Sequence, residues 1–107
     1  MTEIVAVVRR SRAAATRKEL ERANCPGWTA FPVLGRGKQR GLRPAETGPG
    51  VPFLAKVMFS IVVEQDTVEP IIEALVRANQ TGEFGDGRIW TVDLGKDYRI
   101  SEGEAKT

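Results

Sequence analysis

The sequence predicts a single α+β domain of 107 residues, with strands and helices in the order β-α-β-β-α-β. Three observations carry this prediction. A short β-branched run opens the chain, an alternating apolar segment occupies its middle, and an apolar stripe of helical period follows that segment. The hydrophobic content of 41% and the charged content of 28% are those of an ordinary globular domain.

The first half of the chain predicts a strand, a helix and a second strand. The continuous apolar run Ile4–Val8 indicates a strand buried on both faces. Ser11 is placed to cap a helix over residues 12–23. Residues 28–34 then favour a strand, in which Pro32 indicates an edge position or a bulge because proline cannot donate to a ladder.

The second half repeats the pattern as strand, helix and strand. Apolar residues alternate over residues 53–64, which predicts a half-buried strand. Asp66 or Thr67 is expected to cap the following helix, with Glu69 completing a capping box if Asp66 is the cap. That helix presents a buried stripe at helical spacing, formed by Val68, Ile71, Ile72, Leu75 and Val76.

The rest of the second half is a strand and a tail. Residues 88–92 predict the fourth strand, and residues 97–100 a short edge strand. Residues 102–107 form a polar, flexible tail. The whole order is that of the ferredoxin-like fold, in which both helices cover one face of an antiparallel sheet. Its other face would stay apolar and uncovered, which indicates association.

Two loops stand out. Residues 36–53 are rich in glycine, proline and basic side chains, and a loop this long in so small a domain is usually functional or disordered. The stretch Thr81–Trp90 places three glycines, a carboxylate and an arginine directly before a strand. Glycines let an anion approach the main chain, and Arg88 is placed to neutralise it. An ordinary tight turn accounts for the same residues equally well.

Composition excludes several kinds of site. The chain has no histidine, so histidine metal sites and catalytic triads are not available, and no acid pair suggests an active site. We therefore expect no enzyme. The single Cys25 cannot form an internal disulfide, and no apolar run reaches the length of a membrane span. These features predict a cytoplasmic protein.

Four segments in order carry a resemblance to a known family: residues 35–41 (GRGKQRG), 53–56 (FLAK), 81–90 (TGEFGDGRIW) and 99–104 (RISEGE). Together they resemble the PII signal-transduction proteins over most of the chain. The resemblance implies one domain over residues 1–107, a homotrimer, and nucleotide sites in the clefts between subunits. It implies that ATP and ADP compete there, that magnesium accompanies ATP, and that 2-oxoglutarate binds beside them. Residues 36–53 would be the T-loop, which docks onto an enzyme, transporter or regulator.

The resemblance also assigns site residues by position. Thr29 and Val62 would contact the adenine or ribose, Gln39 would place its side-chain oxygen on magnesium, and Lys56 would pair with a carboxylate of the effector. The nucleotide site as a whole would comprise Thr29, Gly35, Gly37, Lys38, Val62, Gly85, Asp86, Gly87, Arg88, Arg99 and Ser101. The effector site would comprise Gln39, Gly41 and Lys56.

The chain departs from the family pattern in two informative places. Ser101 stands where the family usually has a second arginine that faces the phosphates. We therefore expect the preference for ATP over ADP or AMP to be weaker in this chain. The T-loop is short and has no tyrosine, which argues against nucleotidylylation there. A specialised sensor linked to nitrogenase, a transporter or carbon metabolism, without a response to 2-oxoglutarate, is an open alternative. An RNA-binding module is disfavoured because Ile4–Val8 has no aromatic residue for base stacking and the body of the third strand has only Phe59.

Overall fold

The computed structural model describes residues 1–36 and 54–103, together with the backbone of residues 105 and 106. The order β-α-β-β-α-β is confirmed. The strands are β1 (Thr2–Arg9), β2 (Thr29–Gly35), β3 (Leu54–Val63) and β4 (Gly87–Asp93), and the helices are α1 (Ala13–Arg22) and α2 (Val68–Asn79). The predicted T-loop positions Gly37, Lys38, Gln39 and Gly41 lie outside the described residues.

The four strands form one antiparallel sheet in the order β2-β3-β1-β4. The β-branched strand β1 is central, and Ile4, Ala6 and Val8 on its helix side are almost fully buried. They pack with Phe59 and Ile61 of β3 beneath both helices. Pro32 lies on the edge strand β2, where its missing N–H costs no interior ladder bond.

The predicted cap of α1 is wrong, and that of α2 is right only in the position of Thr67. Ser11 lies within a 3-10 turn, Arg10–Arg12, so the residue before α1 is Arg12, and its side chain makes no capping hydrogen bond. Thr67 precedes α2, again without a side-chain capping bond, so the capping box of Asp66 and Glu69 does not form. In both cases a 3-10 turn lies between the strand and the helix. Its i→i+3 hydrogen bonds use some of the backbone groups that a capping side chain would otherwise bond.

The buried stripe of α2 is displaced from the predicted one. Val68, Ile71 and Leu75 are buried as expected and Ile72 is partly buried against the core, whereas Val76 is 38% exposed. Ala74 and Ala78 are buried instead, because small side chains let the helix lie close to its neighbours. Apolar spacing alone did not distinguish a packed valine from one at the margin of the core.

Polar contacts tie the start of α1 to the end of α2. Nε of Arg12 donates to the carbonyl of Ala78 over 2.9 Å, and Thr16 Oγ1 donates to the carbonyl of Arg12. Asn79 Nδ2 donates to Thr16 Oγ1 over 3.0 Å inside the protein. These bonds fix the last turn of α2, from which the loop 81–86 begins.

The sheet face opposite the helices, which we call the open face, stays uncovered in the part of the chain that the structure describes. Directly paired strand positions share this face, so Val5 lies between Ser60 and Trp90, and Val7 between Met58 and Arg88. Several large apolar side chains on it are exposed, namely Phe31, Val62, Trp90 and Val92. The expected bare apolar face is therefore present.

The predicted edge strand over residues 97–100 is shorter and lies elsewhere. Asp97–Tyr98 pairs with Ala105–Lys106 as a separate two-stranded ribbon, β5 with β6, and not with the main sheet. Ile100, at the turn of this ribbon, is fully exposed. The ribbon therefore forms a small sheet of its own and does not widen the main sheet.

Candidate functional site: a clamped glycine loop at the sheet edge

The loop between α2 and β4 is organised by the carboxylate of Asp86. Its Oδ2 accepts hydrogen bonds from the amides of Thr81, over 2.7 Å, and Gly82, over 2.9 Å. Its Oδ1 accepts a further short hydrogen bond from the Thr81 hydroxyl. A carboxylate that accepts several local donors closes the loop into a defined shape, as in an Asx turn.

The same hydrogen bonds lower the pKa of Asp86. The Thr81 hydroxyl contributes most, followed by the amides of Thr81 and Gly82 and by the charge of Arg9, and all of them favour the ionised carboxylate. Because the folded-state pKa lies below the ordinary value of 3.8, the stabilisation is complete above pH 3.8 and is lost as the pH falls through the lower folded-state value.

We therefore expect the loop to open in acid before the sheet does. In an NMR titration the amides of Thr81 and Gly82 should shift together at a pH below 3.8, while the amide of Ala6 in β1 stays unchanged. Asp86→Asn provides the control, since it should remove the titration step. A step at pH 3.8 or above would show that the loop does not stabilise the carboxylate.

Two cations from the central strands hold the other side of the loop. Arg9, at the end of β1, donates from NH2 to the carbonyl of Phe84 over 2.8 Å, and its NH1 lies 3.4 Å from Asp86 Oδ1. Lys56, opposite Arg9 in β3, donates from Nζ to the carbonyl of Gly85 over 3.0 Å. The loop is thus clamped to the sheet at two consecutive carbonyls.

Lys56 is only 8% exposed, so the predicted effector residue lies within the protein rather than on its surface. Its aliphatic stem passes Gly35 of β2, where an added Cβ would lie 3.1 Å from Lys56 Cγ. The structure therefore brings the predicted site residues Gly35, Lys56 and Gly85 together at one end of the sheet.

Gly87 allows β4 to begin immediately against the central strand. Its φ of +121° is one that other residues rarely adopt, and an added Cβ would lie 2.2 Å from the carbonyl oxygen of Val7. Arg88 follows on the open face, opposite Val7. Glycine is thus required here by both conformation and space.

The remaining predicted residues lie further away. Thr29 pairs with Ser60, and Val62 lies two residues further along β3, so both lie toward the opposite end of the open face from Lys56. With a rise of roughly 3.3 Å per residue, the six residues from Lys56 to Val62 span about 20 Å. One extended ligand along this face would be needed to reach both ends.

Arg99 and Ser101 do not meet the loop within the described chain. Both are exposed beyond β5, and Nε of Arg99 lies 3.9 Å from a carboxylate oxygen of Glu102. A single copy of the chain therefore does not gather all the predicted residues.

Sequence reasoning missed Arg9 and the role of Thr81. The signal for Arg9 was available, since it ends a buried strand and its long side chain can reach a neighbouring loop while staying charged. The bond from Thr81 to Asp86 could not be predicted, because it depends on the positive φ values of Gly82 and Gly85 between them.

The described residues lack two further kinds of feature. No helix in residues 1–36 or 54–103 is long and apolar enough to cross a membrane. Over the same residues, no three of the side chains His, Cys, Asp and Glu are grouped so that they could hold a metal ion.

Comparison with known proteins gives a family match over nearly the whole chain. The family model for nitrogen regulatory protein P-II matches residues 1–104. Nitrogen regulatory protein P-II 2 of Methanothermobacter thermautotrophicus is 36% identical, over 98% of this chain and 93% of its own length. A nitrogen fixation nifHD1 region GlnB-like protein 2 of Methanosarcina barkeri is 34% identical, over 97% and 94%.

A bacterial relative shows the same extent of similarity. Nitrogen regulatory protein P-II 1 of Escherichia coli is 34% identical, over 97% of this chain and 95% of its own length. Both the family match and these relatives include the clamped loop and all four strands of the sheet. The chain therefore belongs to the nitrogen regulatory protein P-II family.

Proposed function

We propose that the chain is a homotrimeric signalling protein that binds adenine nucleotides between its subunits and regulates a target through residues 36–53. The observation that carries the proposal is the clamped loop beside three cations. Arg9, Lys56 and Arg88 all lie on strands that end at this loop, so a polyphosphate would meet fixed positive charge and preformed backbone geometry.

The residues present fit the phosphates of a nucleotide. Thr81 and Gly82 already donate their amides to Asp86, so a phosphate would be met by the amides that follow, from Gly85 onward. Gly87 has no side chain to exclude an anion, and Arg88 would pair with its charge. In this proposal Gly35 lies beside the phosphates, while Thr29 and Val62 receive the adenine or ribose further along the open face.

The proposed trimer would complete the site. The open face carries exposed apolar side chains that a second and third copy would bury. Arg99 and Ser101 follow β5 and are both exposed, so a neighbouring copy would bring them to the loop. Ser101 supplies a hydroxyl and no charge, so the nucleotide with the most phosphate charge would lose the most relative to a site with a second arginine.

An effector and a metal ion belong to the same proposal. Lys56 Nζ has three donors, so it can hold the Gly85 carbonyl and also pair with a carboxylate such as that of 2-oxoglutarate. Gln39 would contribute an oxygen to magnesium together with phosphate oxygens and water, with Lys38, Gly37 and Gly41 beside it in the T-loop. The names of the relatives associate them with nitrogen regulation and nitrogen fixation, so the proposed target belongs to nitrogen metabolism.

Calorimetry tests the proposal. ATP, ADP and AMP are titrated into the chain with and without magnesium, and each series is repeated with 2-oxoglutarate. We expect ATP and ADP to bind with similar affinities, because Ser101 replaces a cation. Arg88→Ala should weaken ATP binding by about 10- to 100-fold, which is the typical effect of removing one charge-assisted hydrogen bond.

The controls separate the parts of the proposal. Arg17→Ala, at an exposed position on α1, should leave nucleotide affinity unchanged. Binding that is tightened by 2-oxoglutarate supports a nitrogen-status sensor, and binding without that response supports the specialised sensor. If none of the three nucleotides binds, the assignment of the clamped loop is wrong.

A further inference from the structure

One carboxylate lies on the open face. Among the strand residues that the structure describes on this face, Glu3 of β1 alone is acidic. It pairs with Val62 of β3 on one side and with Val92 of β4 on the other. A carboxylate on a largely apolar surface loses its hydration when that surface is covered, so it then needs hydrogen-bond donors. Glu3 is therefore a candidate for ligand recognition.

One oxygen of this carboxylate is held, and the other remains available. Ser60 Oγ donates to Glu3 Oε2 over 2.6 Å. Glu3 Oε1 accepts no hydrogen bond from any residue that the structure describes. Of the described side-chain atoms, only Asn79 Oδ1 is both buried and without a partner, so Glu3 Oε1 is open to solvent. The carboxylate thus keeps lone pairs for the donors of a ligand.

The bond to Ser60 places the carboxylate beside the positions proposed for the nucleoside. Ser60 pairs with Thr29 of β2, and the next residue of β3 on the open face is Val62. Met58, two residues before Ser60, is level with Arg88 across β1. With a rise of roughly 3.3 Å per residue, the two levels are about 7 Å apart. This separation suits the ribose hydroxyls and the phosphates of one nucleotide.

We infer that Glu3 binds the ribose of the proposed nucleotide, with its carboxylate accepting hydrogen bonds from the 2′- and 3′-hydroxyls. The inference rests on the proposed function and adds the residue that recognises the sugar. Hydroxyls can donate and a carboxylate only accepts, so the two groups are complementary and the bonds are charge-assisted. An acidic side chain binds a ribose hydroxyl in the same way in dinucleotide-binding folds. A sugar without these hydroxyls leaves the carboxylate without donors, so Glu3 selects ribonucleotides.

ATP and 2′,3′-dideoxy-ATP test the inference, because they differ only in the two ribose hydroxyls. Each is titrated by calorimetry into the full chain with magnesium. We expect ATP to bind about 10- to 100-fold more tightly than the dideoxynucleotide, which is the effect of charge-assisted hydrogen bonds. Glu3→Met keeps the length of the side chain without its oxygens, so the ratio of the two affinities should fall to about one. A purely structural role would weaken both nucleotides and leave their ratio unchanged.

Glu73→Met is the matched control, because it is the same change at an exposed position of α2. It should leave the ratio of affinities as in the wild type. Equal binding of the two nucleotides to the wild type, or a ratio that persists in Glu3→Met, would overturn the inference while the proposed nucleotide site stands. If neither nucleotide binds, the inference and the proposed function are both wrong.

Discussion

Replacing Gly87 by alanine is expected to destabilise the protein by about 3 kcal/mol, which is large for the addition of one methyl group. The added Cβ would lie 2.2 Å from the carbonyl oxygen of Val7, and 3.2 Å from Val8 Cα. Both atoms belong to the backbone of β1, which is paired on both sides, so neither can move away without breaking the ladder. The residue would also have to adopt a φ of +121°.

Two other glycines separate these causes in urea unfolding. Gly82 has a φ of +84° but open space around it, so Gly82→Ala should cost about 1 to 2 kcal/mol, the conformational part alone. Gly95 has open space and no positive φ, so Gly95→Ala should change stability by less than about 0.5 kcal/mol. If Gly87→Ala lowers the free energy of unfolding by no more than Gly82→Ala does, then β4 can move away from Val7.

Introducing a charge on the open face should break the proposed trimer. Val92 is 41% exposed on this face, and Val92→Asp would place a carboxylate between apolar sheets in each of three copies. An unpaired charge in an apolar interface costs several kcal/mol, so the concentration needed for assembly should rise by about 100-fold or more. Analytical ultracentrifugation over a dilution series measures this shift, and calorimetry should show that nucleotide binding is lost together with the trimer.

Val76→Asp is the matched control, because it is the same change at a valine that is 38% exposed on the helix layer. It should leave the oligomeric state unchanged. A wild-type chain that sediments as a monomer, or a Val92→Asp variant that assembles like Val76→Asp, would show that the open face is not where the copies meet.

The layout of the fold could be predicted from the sequence because it depends on the period of apolar residues. The run Ile4–Val8 did form a central buried strand, and Pro32 did lie on an edge. The caps could not be predicted in the same way. Ser11 and Asp66 are good capping residues, yet each lies at a 3-10 turn, whose geometry is set by how the strand before it approaches the sheet.

The sequence predicted the glycines of the candidate site, but it did not predict all of the polar contacts that hold the loop. Gly87 is required because its backbone has a positive φ and lies against the backbone of Val7. Its place directly before a predicted strand already indicated such a requirement. Arg9, in contrast, reaches the loop only because β1 and β4 are neighbours, a pairing of residues far apart in the chain. Asn79 was missed for the same reason, since its partner Thr16 lies on the other helix.

The clamped loop is built from backbone groups, and this leaves two of its side chains open to change. At position 83 the loop uses the amide, which donates to Thr81 Oγ1, and at position 84 it uses the carbonyl, which Arg9 holds. The Phe84 side chain is 65% exposed. Substitutions at Glu83 and Phe84 would therefore alter the chemistry beside the site while its shape stays the same. Closely related chains could diverge in ligand preference at these two positions without first having to evolve a new fold.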